Sequence, residues 1–144
     1  MLKNLYISAN IRDGSDARDV WNACLTTRGW LYIAVNSNNP ELCKIGLTQK
    51  DPFKRAKSLT TAGVSGIYKP WFAQMYVDCF DAEARVHKLL KHVHFEKELF
   101  HVSCEEAQHN LIKVYTEDKK LLSPYKIEFL LYDSDPERWL YQFT

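Results

Sequence analysis

Two early segments of the chain have the hydrophobic content of short strands. Residues 30–35 and residues 42–47 are rich in aliphatic and aromatic side chains, and the loop between them, residues 36–40, contains only Asn, Ser and Pro. Such a loop of turn-forming residues favours antiparallel pairing, so the two segments predict a β-hairpin. A nearly continuous apolar run at residues 71–77 predicts a central strand that is covered on both faces.

Two helices are predicted in the middle of the chain. The first begins at Asp51-Pro52, where the carboxylate caps the helix and proline takes its first position, and we expect it to run to about residues 62–63. The second begins near Asp81, and its apolar residues follow a spacing of three and four as far as Val93.

A third helix is expected after a capping box at residues 103–106, ending near Tyr115, and a short strand precedes it at residues 98–102. Together these elements predict an α+β fold. We expect a small central antiparallel sheet, with about three core strands and edge additions, flanked by helices.

The two ends of the chain carry weaker patterns. A strand near residues 2–7 and a helix near residues 16–25 are predicted at the start, and a strand at residues 125–132 with a turn or short helix at residues 136–140 at the end. We therefore divide the chain into three parts. These are an N-terminal extension packed on the domain (residues 1–28), a central domain (residues 29–115) and a C-terminal extension with one strand (residues 116–144).

Composition fits one globular domain in a reducing compartment. The 144 residues are 46% hydrophobic and 13% aromatic, which is enough for a packed core. The four cysteines form no C-x-x-C pair and the first residues lack the apolar core of a signal peptide, so we expect an intracellular, cytoplasmic protein. No apolar run approaches the roughly 18 residues that cross a bilayer, and no membrane segment is predicted.

Charge is concentrated locally. The formal net charge is only +1, but residues 44–59 hold five basic residues against one acid, and residues 117–144 hold six acids against four bases. This pattern favours a phosphate-binding face in the middle of the chain, with Lys50, Lys54 and Lys57 as nucleic-acid contacts. The alternative is an ordinary solvated helix face.

Several residues of this region suggest phosphodiester chemistry when taken together. Tyr32 and Lys44 suit the holding or deprotonation of a water, Arg55 suits a phosphate, and Glu83 suits a divalent metal ion. Each also has an ordinary structural explanation, for example an N-terminal helix carboxylate for Glu83. Their order and spacing carry the prediction.

That order resembles the GIY-YIG nuclease superfamily, and most closely the branch named after an open reading frame of bacteriophage T5. The resemblance covers roughly residues 29–115. Its motifs are Gly29-Trp30-Leu31-Tyr32, Lys44-Ile45-Gly46, Arg55, Glu83-Ala84-Arg85-Val86-His87 and Glu98-Leu99-Phe100. The resemblance implies a GIY-YIG-like nuclease domain whose site lies on the face of a small antiparallel sheet.

The resemblance also implies a role for each matching residue. Tyr32 would position or deprotonate the attacking water, and Lys44 replaces the tyrosine of the second motif. Arg55 would contact the phosphate, and Glu83 would be the single carboxylate that binds Mg²⁺ or Mn²⁺. His87 would contact the phosphate or orient the water.

Departures from the pattern leave some roles open. Lys44 in place of tyrosine leaves the general base undecided, and Glu98 stands where many relatives carry asparagine, either as an auxiliary group beside the metal or as a structural residue. A literal Gly66-Ile67-Tyr68 lacks the second motif after it and receives no catalytic role. A zinc site is not predicted, because the candidate ligands match no common spacing. Those candidates are His87, His92, His94, His101 and Cys104.

The expected function is a metal-dependent endonuclease that hydrolyses DNA phosphodiester bonds and belongs to a phage or mobile element. The alternative is a catalytically weak or inactive module that binds nucleic acid or a host protein. One site cuts one strand per event, so double-strand breaks would need a homodimer or successive nicks.

Overall fold

The structure is a computed structural model, and it describes residues 24–122. The elements predicted before residue 24 and after residue 122 lie outside this range. The strands are β1 (Gly29–Asn36), β2 (Asn39–Thr48), β3 (Tyr68–Tyr76), β4 (His94–Glu96) and β5 (Leu99–Phe100). The α-helices are α1 (Pro52–Ser58), α2 (Cys79–Leu89) and α3 (Cys104–Leu122), and a 3₁₀ turn spans Lys91–Val93. None of these helices combines the length and apolar character needed to cross a bilayer.

The described strands form one antiparallel sheet in the order β3-β1-β2-β5-β4, with the helices packed on it. The predicted α+β class and the predicted β1–β2 hairpin are therefore confirmed. In that hairpin Tyr32 lies opposite Gly46, and Ala34 lies opposite Lys44. Directly opposed residues of antiparallel strands share a face of the sheet, so these side chains lie on the same side.

The prediction of a central strand at residues 71–77 is wrong in its position. Within the described sheet β3 is an end strand, and β1 lies between β3 and β2. The segment from Phe72 to Val77 is nonetheless buried, because α1 and α3 both contact β3. Among the described residues, coverage by helices explains its apolar sequence.

The two faces of the sheet carry different hydrophobic clusters. On one face Leu31 and Ile33 pack with residues of α2 and α3 in the main core. On the other face a smaller cluster contains Tyr32, Ala34 and Ala56, the last from α1. The small residues let α1 approach the sheet closely, and this second face carries the candidate site.

The first helix is capped as predicted and ends earlier than predicted. The Asp51 carboxylate accepts hydrogen bonds from the Phe53 and Lys54 amides. α1 ends at Ser58, where the Ser58 hydroxyl donates to the Arg55 carbonyl at 2.6 Å and competes with further helical hydrogen bonds.

The other two helices also differ from prediction at their ends. α2 begins at Cys79 with Asp78 as its cap, and it ends at Leu89 before a 3₁₀ turn, so the apolar spacing to Val93 overstated its length. α3 begins with half of the predicted capping box, in which the Ser103 hydroxyl accepts from the Glu106 amide. It continues through Leu122, well beyond the expected end near residue 115.

The strand predicted at residues 98–102 is one arm of a small hairpin. The strand is shorter than predicted, because β5 spans only Leu99–Phe100. The other arm, β4, was not predicted because all three of its residues are exposed and show no apolar pattern. Lys97 at the turn adopts a φ of 48°, and its carbonyl accepts a hydrogen bond from His94 Nε2 at 2.7 Å. This hairpin extends the sheet beside β2.

All four cysteines are free thiols. The sulfur atoms of Cys43 and Cys104 lie 3.5 Å apart, although the residues are distant in sequence. Burial raises the pKa of the Cys43 thiol, which keeps it uncharged at neutral pH. The thiols therefore act as small core residues in this fold.

Candidate active site

Tyr32 is the most buried member of the candidate site. Its side chain is 1% exposed, and its phenol oxygen makes no hydrogen bond of ordinary geometry within residues 24–122. The phenol lies against Gly46 on the neighbouring strand, where an added Cβ would lie 2.5 Å from Tyr32 Oη. Only a glycine at this position leaves room for the ring.

Lys44 and Glu98 lie beside the phenol. Lys44 Nζ is 3.5 Å from Glu98 Oε2, and both side chains are partly exposed. The same Glu98 oxygen would lie 2.9 Å from a Cβ on Gly46, so Glu98 and Tyr32 meet above this glycine. The Glu98 backbone contributes too, because its carbonyl accepts from the Ile45 amide at 2.9 Å.

Helix α2 brings His87 to the exposed edge of β2. His87 Nε2 lies 2.9 Å from the Ile45 carbonyl oxygen, which can only accept a hydrogen bond. The proton is therefore on Nε2, and the imidazole satisfies a strand group beyond the end of the β2–β5 pairing. The His87 ring also packs on Phe100, with ring centroids 4.9 Å apart.

Glu83 lies one helical turn before His87. Burial raises the pKa of the Glu83 carboxyl and Glu98 raises it further, while His87 and the Leu47 amide act in the opposite direction. Glu83 Oε2 is buried and has no hydrogen-bond partner among the described residues. A buried carboxylate oxygen without a partner is costly in a folded protein and is free to accept a ligand.

Arg55 projects from α1 on the same side. It is exposed, and it lies close enough to Tyr32 to oppose the rise in the pKa of the phenol, which burial causes. Arg55, Lys50 and Lys54 line a shallow cleft of about 270 Å³ together with Thr48, Asp51 and Ser58. Lys57, the third lysine predicted to contact nucleic acid, is not among the residues that line it.

The structure therefore brings most of the predicted site residues together. Glu98 lies against the same Gly46 position as the Tyr32 phenol, and Arg55 and Glu83 are close enough to influence the pKa of that phenol. Lys44 is linked to these residues by its ion pair with Glu98. His87 is linked to them by its hydrogen bond to the backbone of β2. Gly46 belongs to a predicted motif but was not predicted as a site residue; its position opposite Tyr32 in the hairpin was the signal for it.

The fold makes the Tyr32 phenol less acidic. Burial raises its pKa first, and Glu98 raises it next. Arg55 opposes this shift without reversing it, and Lys44 is paired with Glu98. Tyr32 is therefore a neutral phenol at pH 7 in the ligand-free protein.

The literal Gly66-Ile67-Tyr68 sequence has a structural role. Gly66 adopts a φ of +82°, and a Cβ there would collide with Asn36 of the β1–β2 turn. The Ser37 hydroxyl accepts a hydrogen bond from the Ile67 amide at 2.9 Å. This segment braces the hairpin turn.

The carboxylate of Glu83 suits a divalent metal ion that binds few protein groups and keeps water or substrate oxygens as its other ligands. Among residues 24–122 no three His, Cys, Asp or Glu side chains are grouped so as to hold a metal ion by themselves. Mg²⁺ commonly binds through one or two carboxylates and completes its shell with waters and substrate phosphates. The unpaired Glu83 oxygen meets that requirement.

Comparison with known proteins agrees with the family expected from the motifs. Neither a curated protein nor a solved structure matches the chain significantly. One family model does, the T5orf172 domain, and it matches residues 29–115, the span over which the resemblance was predicted. This family is associated with nuclease-like domains. The match covers more than half of the sequence, and the chain therefore belongs to the T5orf172 domain family.

Proposed function

We propose that this protein is a metal-dependent endonuclease of GIY-YIG type that hydrolyses DNA phosphodiester bonds and serves a phage or mobile element. One observation carries the proposal. The buried phenol of Tyr32 lies beside Glu98, which pairs with Lys44, and near the Arg55 guanidinium, while Glu83 presents a buried carboxylate oxygen that has no hydrogen-bond partner among residues 24–122. Phosphodiester hydrolysis needs such a combination of water-positioning, metal-binding and phosphate-binding groups.

The DNA strand would enter along the basic cleft on α1. Lys50 and Lys54 contact flanking phosphates, and Arg55 contacts the scissile phosphate. The neutral Tyr32 phenol holds a water by a hydrogen bond, and the ring nitrogen of His87 that does not face Ile45 takes the proton that the water gives up. The water oxygen forms a bond to phosphorus as the bond to the 3′ oxygen breaks, which leaves a 5′ phosphate and a 3′ hydroxyl.

Glu83 would hold the metal ion through Oε2, which accepts no hydrogen bond from any described residue. Bound there, Mg²⁺ or Mn²⁺ supplies positive charge for the developing negative charge on the leaving 3′ oxygen. The Leu47 amide donates a hydrogen bond to the Glu83 carboxylate, which helps to hold it in place. A glutamine at this position keeps the shape and loses the charge.

A plasmid assay tests the proposal. Purified protein is incubated with supercoiled DNA and Mg²⁺ or Mn²⁺, with and without EDTA. We expect nicked circles that require the metal, and a loss of at least about 100-fold in rate for Glu83→Gln, a range typical of removing a principal electrostatic group. Glu105→Gln, which alters an exposed carboxylate at the start of α3, should cut normally.

Two results would contradict the proposal. One is the absence of nicking under every metal condition, and the other is equal nicking by the Glu83→Gln variant. The presence of linear DNA before nicked circles would instead indicate two cooperating sites in a dimer.

A second candidate function is DNA binding without cleavage. The basic cleft favours it, because Lys50, Lys54 and Arg55 can bind phosphates whether or not Glu83 holds a metal ion. A gel shift that weakens with salt, in a protein that never nicks DNA, would support this function.

A further inference from the structure

We infer that Glu98 is a positioning residue that holds the Lys44 ammonium at the candidate site. This inference rests on the proposed nuclease function for its catalytic purpose. The pairing itself rests on the contact between Glu98 Oε2 and Lys44 Nζ at 3.5 Å. Both groups lie on the side of the sheet that carries the Tyr32 phenol.

The backbone fixes Glu98 next to Lys44. Lys44 of β2 lies opposite Leu99 of β5, the residue that follows Glu98. The Glu98 carbonyl accepts from the Ile45 amide, so the strand pairing continues to Glu98 itself. The carboxylate is therefore anchored by its own main chain and does not depend on a mobile loop.

The turn before Glu98 adopts a conformation that side chains rarely take. Lys97 has a φ of 48°, in the left-handed region, and His94 Nε2 is bonded to its carbonyl at 2.7 Å. Backbone in this region costs free energy and often accompanies functional positions. Here the turn directs the chain so that Glu98 re-enters the sheet beside β2.

The two carboxylates near the phenol differ in their contacts. Glu98 Oε2 faces Lys44, whereas Glu83 Oε2 is buried and has no hydrogen-bond partner in the part of the chain that the structure describes. Glu83 is therefore the group available for a metal ion, and Glu98 balances the lysine that replaces the second tyrosine of the motif. Without Glu98, the Lys44 side chain would have four rotatable bonds and no described ionic partner.

The ion pair is a device for orientation and adds little to stability. Its two side chains are 22% and 37% exposed, and ion pairs in such surroundings contribute little to stability because water and salt screen them. Removing the Glu98 charge should therefore leave the melting temperature almost unchanged. A purely structural role would predict the opposite.

The test compares Glu98→Gln, Lys44→Gln and the double variant in the plasmid assay. We expect Glu98→Gln to lower kcat about tenfold with KM for DNA within about twofold, and to have no further effect when Lys44 is already glutamine. Glu96→Gln, an exposed carboxylate of the same hairpin, is the matched control and should behave as wild type. Effects that multiply in the double variant would overturn the inference.

A second measurement does not depend on cleavage. Lysines are reductively methylated with ¹³C-formaldehyde, and the Lys44 signal is identified by its loss in Lys44→Arg. We expect Glu98→Gln, but not Glu96→Gln, to move this signal to the position of a free lysine. An unmoved signal overturns the pairing. If wild-type protein cuts no DNA the proposed function fails, while the signal still decides whether Glu98 holds Lys44.

Discussion

Gly46 is the residue on which the close packing of the site depends. A Cβ at this position would lie 2.5 Å from Tyr32 Oη and 2.9 Å from Glu98 Oε2, so Gly46→Ala must displace one or both groups. We expect a loss of about 1–3 kcal/mol in the free energy of unfolding, as for overpacked cores. Nicking should fall by more than tenfold, because misplaced catalytic groups lose rate steeply.

Gly63→Ala provides the matched control for this prediction. Nothing lies within 4 Å of a Cβ at Gly63, so the same chemical change meets open space. It should be neutral or stabilise by up to about 1 kcal/mol through the unfolded chain. Urea denaturation and the plasmid assay measure both variants, and equal behaviour of the two would show that Gly46 is not tightly packed.

At the scale of residues, the sequence identified which side chains form the candidate site but did not indicate the pKa of Tyr32. The order of Tyr32, Lys44, Arg55 and Glu83 was sufficient to nominate groups that the fold brings together. The raised pKa of Tyr32 was not predictable, because it depends on burial and on a carboxylate, Glu98, that arrives from a hairpin with little sequence signal.

Among the helices, α2 and α3 are joined by an ionic cluster. Arg85 Nη1 lies 2.6 Å from Asp118 Oδ1 and 3.2 Å from Asp81 Oδ2, and its Nη2 lies 2.6 Å from Glu117 Oε2. Asp118 is only 2% exposed. Removing one partner of a buried pair leaves the other charge uncompensated, which is more costly than the pair is stabilising.

Arg85→Met should therefore destabilise the protein in a pH-dependent way. Burial raises the pKa of Asp118 to about 6, although Arg85 lowers it. The folded protein thus binds this proton more tightly than the unfolded chain, and stability falls as pH rises between about 4 and 6. Without Arg85 the pKa of Asp118 rises further, so the pH range over which stability falls extends to higher pH.

We expect Arg85→Met to lose about 2–4 kcal/mol at pH 8 and less at pH 5, where Asp118 can be protonated. Urea denaturation at the two pH values measures this difference. Lys88→Met, at an exposed position of the same helix, should lose little at either pH. Equal losses at both pH values for Arg85→Met would mean that lost packing, and not the stranded carboxylate, is responsible.

Element ends were less predictable than elements. The α1 start followed from Asp51-Pro52, whereas its end at Ser58 depends on a hydroxyl-to-carbonyl bond that periodicity does not contain. The expected end of α3 near residue 115 excluded Asp118, and with it the tie to Arg85. A local side-chain hydrogen bond accompanies the first boundary, and a tertiary ion pair lies beyond the predicted position of the second.

At the scale of the described fold, the packing of helices on the sheet determines which basic surface lies next to the candidate site. Within residues 24–122 the main core lies between the sheet and helices α2 and α3, and the smaller cluster lies on the opposite face beneath α1. The short, basic α1 therefore borders the Tyr32 face, and the overall charge of +1 conceals a local cationic cleft. Diffusing DNA responds to this local charge more than to the sum.

We expect the loss of DNA affinity on removing a lysine to depend on how close that lysine lies to the cleft. Lys54→Gln removes a charge that lines the cleft beside Arg55, and should weaken binding and reduce the slope of log K against log salt by about one. Lys57→Gln, on the same helix but outside the cleft lining, should have a smaller effect, and Lys113→Gln on α3 should have none. Fluorescence anisotropy with a labelled duplex between 50 and 200 mM salt, in EDTA to prevent cleavage, measures all three. Equal losses for Lys54 and Lys113 would show that DNA responds to total charge, and the cleft would then lose its assigned role.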